Sequence, residues 1–275
     1  MCKVTIDGIT VQAPEGSTIL DAAKLAGVDI PTLCFMKEIN EIGSCRVCVV
    51  EVEGEDALAA ACNTPVFDGM AVRTNTPRVI AARRANVETI LATHRSECTT
   101  CKRSGTCALQ AVANGCNAAD LERDPDYEFE AWDETFPLQR DATKCIRCMR
   151  CVAECAKVQQ CAVWEVSGPA AHRGVRVVGG ADIVSANCAL CGQCVTHCPT
   201  GALTARDDTS KVLAALADPQ VITVVQVAPA IRSAWGEGVG VPREEATQGR
   251  MVSALRALGF DYVYDTDFAA DLTIM

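Results

Sequence analysis

The chain has 275 residues, 18 of them cysteine, and a formal charge of −10. That length exceeds what one small core organises, so two or more compact units are expected. The acidic balance excludes a phosphate-neutralising nucleic-acid surface and fits either basic partners or plain solubility, while no apolar run, the longest being residues 221–230, reaches the roughly 18 residues of a membrane helix.

Residues 2–75 predict short strands and turns around one helix. Strands at 3–6 and 10–12 flank an Asp7-Gly8 turn. A helix begins near Thr18 with Ser17 as its cap and ends at Gly27, where a left-handed residue belongs. Strand 47–53 and segment 66–73, with its Asp68-Gly69 turn, complete an α+β unit. Over 77–92 the spacing of Val79, Ile80, Val87, Ile90 and Leu91 predicts an amphipathic helix. Residues 118–141 are acidic and carry Tyr127, Phe129, Trp132 and Phe136, reading as an irregular connector anchored by its aromatics. Residues 141–207 hold a duplicated cysteine pattern. A helix at 211–217, a strand at 221–227, a helix at 250–258 and a strand at 262–264 then begin an α/β unit with too few strands to close a sheet.

Residues 1–10 have neither the apolar stretch nor the cleavage site of a signal peptide, which predicts a reducing, cytoplasmic location. There, clustered cysteines are metal ligands rather than disulfides. The first set is Cys34, Cys45, Cys48 and Cys62, spaced C-x10-C-x2-C-x13-C. A close pair with two outlying cysteines suits a two-iron cluster wrapped by one loop, here 35–44, although the spacing differs from the plant-type C-x4-C-x2-C. A zinc knuckle on Cys45 and Cys48 is the alternative. Gly43, Ser44 and residues 59–61 are small enough for backbone to approach sulfide.

The second set, His94, Cys98, Cys101 and Cys107, reads H-x3-C-x2-C-x5-C. Three thiolates and an imidazole suit a four-iron cubane whose potential rises with the loss of one negative thiolate. A zinc site on the same three cysteines and histidine competes, disfavoured by the flanking iron-sulfur motifs. The third set is duplicated: Cys145, Cys148, Cys151 and Cys155 form C-x2-C-x2-C-x3-C, and Cys188, Cys191, Cys194 and Cys198, followed by Pro199, repeat it. This is the two-cluster bacterial ferredoxin signature, in which the fourth cysteine of each run serves the other cluster. One cubane is therefore expected on Cys145, Cys148, Cys151 and Cys198, the other on Cys188, Cys191, Cys194 and Cys155. Ala156 stands where the second run has proline. Lys144, Arg147 and Arg150 interleave with the first run, either as potential-raising or docking charges or as solvated turn residues. Cys2, Cys116 and Cys161 lack ligand-spaced partners and read as small buried hydrophobes. His172 and His197 are unassigned, His197 as a surface or packing residue.

The order and spacing of these motifs resemble the N-terminal accessory region of [FeFe]-hydrogenase catalytic subunits, including those of NAD(P)-linked multimeric hydrogenases. A similar arm opens the large complex I subunit and the α subunit of NAD-dependent formate dehydrogenases. The segments Val227-Ala-Pro-Ala-Ile-Arg-Ser-Ala-Trp-Gly-Glu-Gly and Met251-Val-Ser-Ala-Leu-Arg-Ala-Leu-Gly resemble the opening of the hydrogenase active-site domain. The resemblance implies a multi-domain α+β fold. Its parts are a [2Fe-2S] β-grasp ferredoxin-like domain over 1–77, a small His-ligated [4Fe-4S] domain with three cysteines over 78–118, a connector over 119–140, a bacterial-type 2x[4Fe-4S] ferredoxin domain over 141–209, and the start of an α/β hydrogenase domain over 210–275.

It further implies an iron-sulfur oxidoreductase relay with one [2Fe-2S] and three [4Fe-4S] clusters, one of them His-ligated, serving hydrogen oxidation or proton reduction. The family's T-S-C-C-P-G-W type motifs lie beyond residue 275, so the H-cluster belongs to a full-length form and no catalytic residue is expected here. With neither a Rossmann glycine fingerprint nor a P-loop, nicotinamide chemistry falls to a partner in a hetero-oligomer, a flavin- and NAD(P)-binding iron-sulfur subunit or a ferredoxin. A formate dehydrogenase or complex I-like arm and a non-catalytic redox scaffold are the competing readings.

Overall fold

The computed structural model describes residues 1–119, 131–168 and 174–275, which divide into two compact units, Met1–Arg206 and Asp207–Met275. In the first unit, β1 (Cys2–Ile6) and β2 (Ile9–Ala13) form an antiparallel hairpin. Asp7 and Gly8 both take positive φ, 46° and 86°, the two-residue turn whose twist matches the strands. β3 (Val49–Val52), β4 (Ala59–Ala60) and β5 (Ala71–Arg73) extend the sheet in the order β2-β1-β5-β3-β4, with β5 parallel to β1 and antiparallel to β3. α1 (Ile19–Leu25) lays Ile19, Leu20, Ala22 and Ala23 on a core of Val4, Ile6, Val50 and Val72. Each buried valine or isoleucine there contributes about 1.5–3 kcal/mol.

Thr18, not Ser17, caps α1. Its hydroxyl accepts from the Asp21 amide while the Asp21 carboxylate accepts from the Thr18 amide, both at 3.2 Å, a reciprocal capping box that Ser17 is one residue too early to make. Ser17 is held instead by a turn, its amide donating to Pro14 O at 3.1 Å. At the far end Gly27 takes φ +71°, and Val28 N–H donates to Ala23 O at 2.9 Å, closing the helix as expected.

α2 (Pro77–Leu91) is capped by Thr76 and buries Val79, Arg83, Val87 and Leu91. Ile80, predicted on the apolar face, is 41% exposed. Arg83 takes the inward row because its Nε and Nη2 both donate to Val49 O, at 3.2 and 2.9 Å. α3 (Ala108–Cys116) shares with α2 a core of Leu33, Val47, Val87, Leu91 and Leu109.

The rest of the first unit is built of short pieces around cysteines. β6 (Leu138–Arg140) lies within the segment predicted to be an irregular connector. Tyr127, Phe129 and His172 lie outside the described residues. Trp132 and Phe136 pack on the adjoining core, and Trp132 stacks on Trp164 at 6.0 Å, so the aromatics that are described anchor the segment. α4 (Arg150–Ala153) runs into a π-helical turn, Glu154–Val158, and a hairpin of β7 (Trp164–Ser167) and β8 (Gly174–Val177) follows. α5 (Gln193–Thr196) leads to β9 (Leu203–Ala205), which returns antiparallel to β6.

The second unit contains α6 (Thr209–Ala217), β10 (Val224–Val227), α7 (Pro229–Ala234), α8 (Gln248–Ala257), β11 (Tyr262–Asp265) and α9 (Thr266–Ile274). β10 and β11 pair in parallel, as the long helical crossover between them requires. Arg232 Nη1 donates to Asp265 at 2.8 Å and also to Asp267, pinning α7 to the start of α9. Val227 and Met251 are buried, whereas Ile222, Val224, Tyr262 and Phe268 are exposed.

Candidate iron-sulfur sites

Cys34, Cys45, Cys48 and Cys62 converge beside the sheet. Cys34, Cys48 and Cys62 are buried and Cys45 is half-buried. The thiols of Cys45 and Cys62 donate to the Cys34 sulfur and hold it far below the ordinary thiol range, and the Cys62 thiol likewise lowers Cys48. The donors Cys45 and Cys62 are pushed up in turn by the anionic sulfur they serve. Four thiols thus form one hydrogen-bonded group. Amides of Ser44 and Cys45 also donate to the Cys34 sulfur and that of Val47 to Cys45. Left-handed Gly43 (φ 61°) and Arg46 (φ 52°) turn the loop, and such turns aim successive N–H groups into one concavity. A Cβ on Gly43 would stand 2.7 Å from Asn63 Nδ2, so this position requires glycine.

The helix pair α2 and α3 carries both ends of the second set. The His94 amide donates to Leu91 O at 2.9 Å just past α2, and Cys107 is the residue before α3. His94 Nδ1 lies 3.2 Å from Lys144 O; a carbonyl partner puts the proton on Nδ1 and the ring lone pair on Nε2. The Cys107 thiol donates to Pro199 O at 3.6 Å, and a Cβ on Gly201 would stand 3.2 Å from Cys101 Sγ. His94, Cys101 and Cys107 therefore face one strip of chain, Lys144 with residues 199–201. Cys98 is exposed.

The duplicated set frames two cavities. Cys145, Cys148, Cys151 and Cys198 line a cavity of about 30 Å³, and Cys155, Cys188, Cys191 and Cys194 line one of about 230 Å³. Each run's fourth cysteine has crossed to the other's cavity. The two runs repeat in backbone as well as in sequence: Arg147 and Met149 are left-handed ahead of α4, and Leu190 and Gly192 are left-handed at the same places ahead of α5. Burial pushes the Cys148 thiol up to about 12 and Cys194 to about 11, and raises Cys145, Cys151 and Cys155. Amides of Arg147, Arg150 and Val163 donate to the sulfurs of Cys145, Cys148 and Cys155, and the Trp164 indole donates to Cys194.

Of the interleaved cations, Lys144 pairs with Asp141 at 3.0 Å and Arg150 donates to Phe35 O at 2.7 Å, so both are structural contacts. His197 sits 3.7 Å from the buried Glu154 carboxylate. Cys2, Cys116 and Cys161 are half-buried at the margins of three different cores rather than fully enclosed. Spacing carries no sign of two further residues. Buried Asn40 donates through Nδ2 to Cys34 O at 2.7 Å and to Cys148 O at 3.0 Å, linking two ligand sets far apart in sequence. Trp164 lines both cavities.

Among the described residues, no three His, Cys, Asp or Glu side chains close on one point tightly enough for a single metal ion. The donors fit iron-sulfur groups: soft sulfur, apolar walls, and N–H groups directed at the sulfurs. No described helix is long and apolar enough to cross a membrane.

Comparison with known proteins gives the same division. The 2Fe-2S iron-sulfur cluster binding domain matches residues 1–77, the NADH-ubiquinone oxidoreductase-G iron-sulfur binding region 83–120, the 4Fe-4S dicluster domain 144–202, and the C-terminal domain of the iron only hydrogenase large subunit 221–275. These modules in this order define an iron-sulfur oxidoreductase subunit. The chain is 47% identical over 285 residues to the NADP-reducing hydrogenase subunit HndD of Solidesulfovibrio fructosivorans, covering 100% of this chain and 48% of that one. More specifically, then, it corresponds to the N-terminal iron-sulfur region of an [FeFe]-hydrogenase catalytic subunit of the NAD(P)-linked kind, spanning about half that relative's length. It is also 38% identical over 205 residues to the NADPH-Fe(3+) oxidoreductase subunit alpha of Geobacter sulfurreducens, 74% of this chain and 24% of that protein. A chain of the NAD+-reducing [NiFe]-hydrogenase, solved in the H2-reduced state, superimposes with a TM-score of 0.67 at 29% identity, covering 74% of this chain and 87% of that one.

Proposed function

We propose that this chain is the electron-transfer arm of a hydrogen-converting enzyme. It holds a [2Fe-2S] cluster on Cys34, Cys45, Cys48 and Cys62, and three [4Fe-4S] clusters on His94, Cys98, Cys101 and Cys107; on Cys145, Cys148, Cys151 and Cys198; and on Cys155, Cys188, Cys191 and Cys194. The observation that carries this reading is the pair of cavities, each framed by four thiols in the crossed arrangement. When bound, such clusters take up and release single electrons.

The chain's own residues position and tune these sites. Amide and indole N–H groups aimed at the sulfurs favour the more electron-rich state. The His94 contact with Lys144 O is what a ligating imidazole needs, because it orients the ring and leaves Nε2 toward the metal. Asn40 ties the first site to the Cys148 cavity, and Lys144, Pro199 and Cys198, the last through Arg103 at 3.5 Å, tie the His94 set to that same cavity. The Cys148 cavity is thus a junction, with Trp164 as the wall it shares with the larger one.

We read the domains as β-grasp ferredoxin-like over 1–77, His-ligated four-iron over 78–118, connector over 119–140, bacterial dicluster over 141–209 and hydrogenase start over 210–275, in a cytoplasmic hetero-oligomer. The partner is a flavin- and NAD(P)-binding iron-sulfur subunit or a ferredoxin, and the H-cluster lies in the full-length form. The hydrogenase domain match over 221–275 supports this over an NADPH-Fe(3+) oxidoreductase arm, whose similarity covers only 74% of the chain. Iron analysis and electron paramagnetic resonance test it: about 14 iron atoms per chain with both two-iron and four-iron signals are expected. Zinc as the main metal would overturn it.

A further inference from the structure

Cys161 belongs to none of the four ligand sets, yet the fold delivers it to one of them. It lines the same cavity as Cys155, Cys188, Cys191 and Cys194, and packs against the same core. After the π-helical turn Glu154–Val158 the chain doubles back through left-handed Gln160, φ 57°. The amides of Cys161 and Ala162 then both donate to Cys155 O, at 3.0 and 3.2 Å. That tight ring sets the two cysteines side by side, and the charge of Cys161 bears on Cys155 more strongly than those of Cys188 or Cys191. Meanwhile the Cys161 thiol donates to Gln159 O at 3.4 Å, a weak bond for a sulfur donor and easily given up. The cavity holding five cysteines is also the roomier one, about 230 Å³ against about 30 Å³ for the cavity holding four.

We propose that Cys161 is an exchange ligand for the four-iron site in the larger cavity, able to replace Cys155 at iron. This rests on the ligand assignment proposed above. In the exchange the iron–sulfur bond to Cys155 breaks and one to Cys161 forms, the Cys161 proton passes to the Cys155 sulfur, and no electron is gained or lost. A thiol already inside the cavity meets the vacated iron before solvent does, so the site keeps its cluster when Cys155 is chemically lost.

The test uses the full chain loaded with iron and sulfide, read by iron content and by electron paramagnetic resonance after reduction. Cys155→Ala and Cys161→Ala should each keep the parent's four-iron signals, while Cys155→Ala/Cys161→Ala loses one cluster, about four iron atoms. Depletion in Cys155→Ala equal to the double variant would overturn the exchange. Retention of a normal cluster in Cys161→Ala/Cys188→Ala would instead overturn the ligand assignment itself. A measurement on the unmodified loaded protein guards against misfolded variants. Prolonged alkylation should label either Cys155 or Cys161, never both in one molecule, and label confined to Cys161 counts against exchange.

Discussion

A thiol buried among other thiols resists ionisation, and this governs how the iron-free chain responds to pH. Burial raises Cys148 from the ordinary 9.0 to about 12 in the folded state. The unfolded chain therefore loses this proton first, and the stability Cys148 contributes is complete below pH 9.0 and drains away as pH rises toward 12. The denaturant midpoint of iron-free protein is expected to fall across that window. Iron-loaded protein should hold its midpoint, because a ligated thiolate has no proton to lose. Two substitutions separate tuning from ligation. His94→Cys should keep a four-iron cluster and lower its potential by restoring a negative ligand; an unchanged redox titration would remove His94 from the ligand set. Trp164→Phe keeps the ring wall but deletes the N–H that serves Cys194. The potential of that centre alone should fall.

At the scale of elements, loops matter more than helices or strands. The 35–44 loop is docked onto α4 and the π-helical turn by Asn40, by Arg150 to Phe35 O, and by Lys157 to Ile39 O at 2.7 Å. Asn40→Leu keeps the side-chain volume and strands the two carbonyls it serves. A loss of about 1–3 kcal/mol is expected, seen as a lower melting temperature with iron content unchanged. α1, α2 and the β1–β2 hairpin are legible in the sequence because capping, turn chemistry and apolar spacing are local. Arg83 is not, since its place on the buried face depends on Val49 O, 34 residues away in the chain. Ser17 reads as the cap because two adjacent hydroxyl residues look alike until the reciprocal bond to Asp21 picks Thr18.

At the scale of the whole molecule, the ligand residues concentrate in Met1–Arg206, and the hydrogenase-like match falls in Asp207–Met275. A chain cut after Arg206 should carry the same iron per molecule and the same spectra as the full chain; loss of any one signal would show that residues 207–275 hold a cluster in place. Cysteine spacing by itself determined the chemistry here, because a thiolate cluster needs its ligands at short intervals along a loop, and those intervals survive in one dimension. Spacing also predicted that fourth cysteines cross between sites, since the duplicated run carries that rule with it. Only the tertiary structure decided which sites adjoin. Asn40 reaching Cys148, His94 reaching Lys144, Trp164 dividing two cavities and Cys161 entering one of them are contacts between segments that the sequence holds apart, and hydrogen bonds or packing across such distances leave no periodic trace in it.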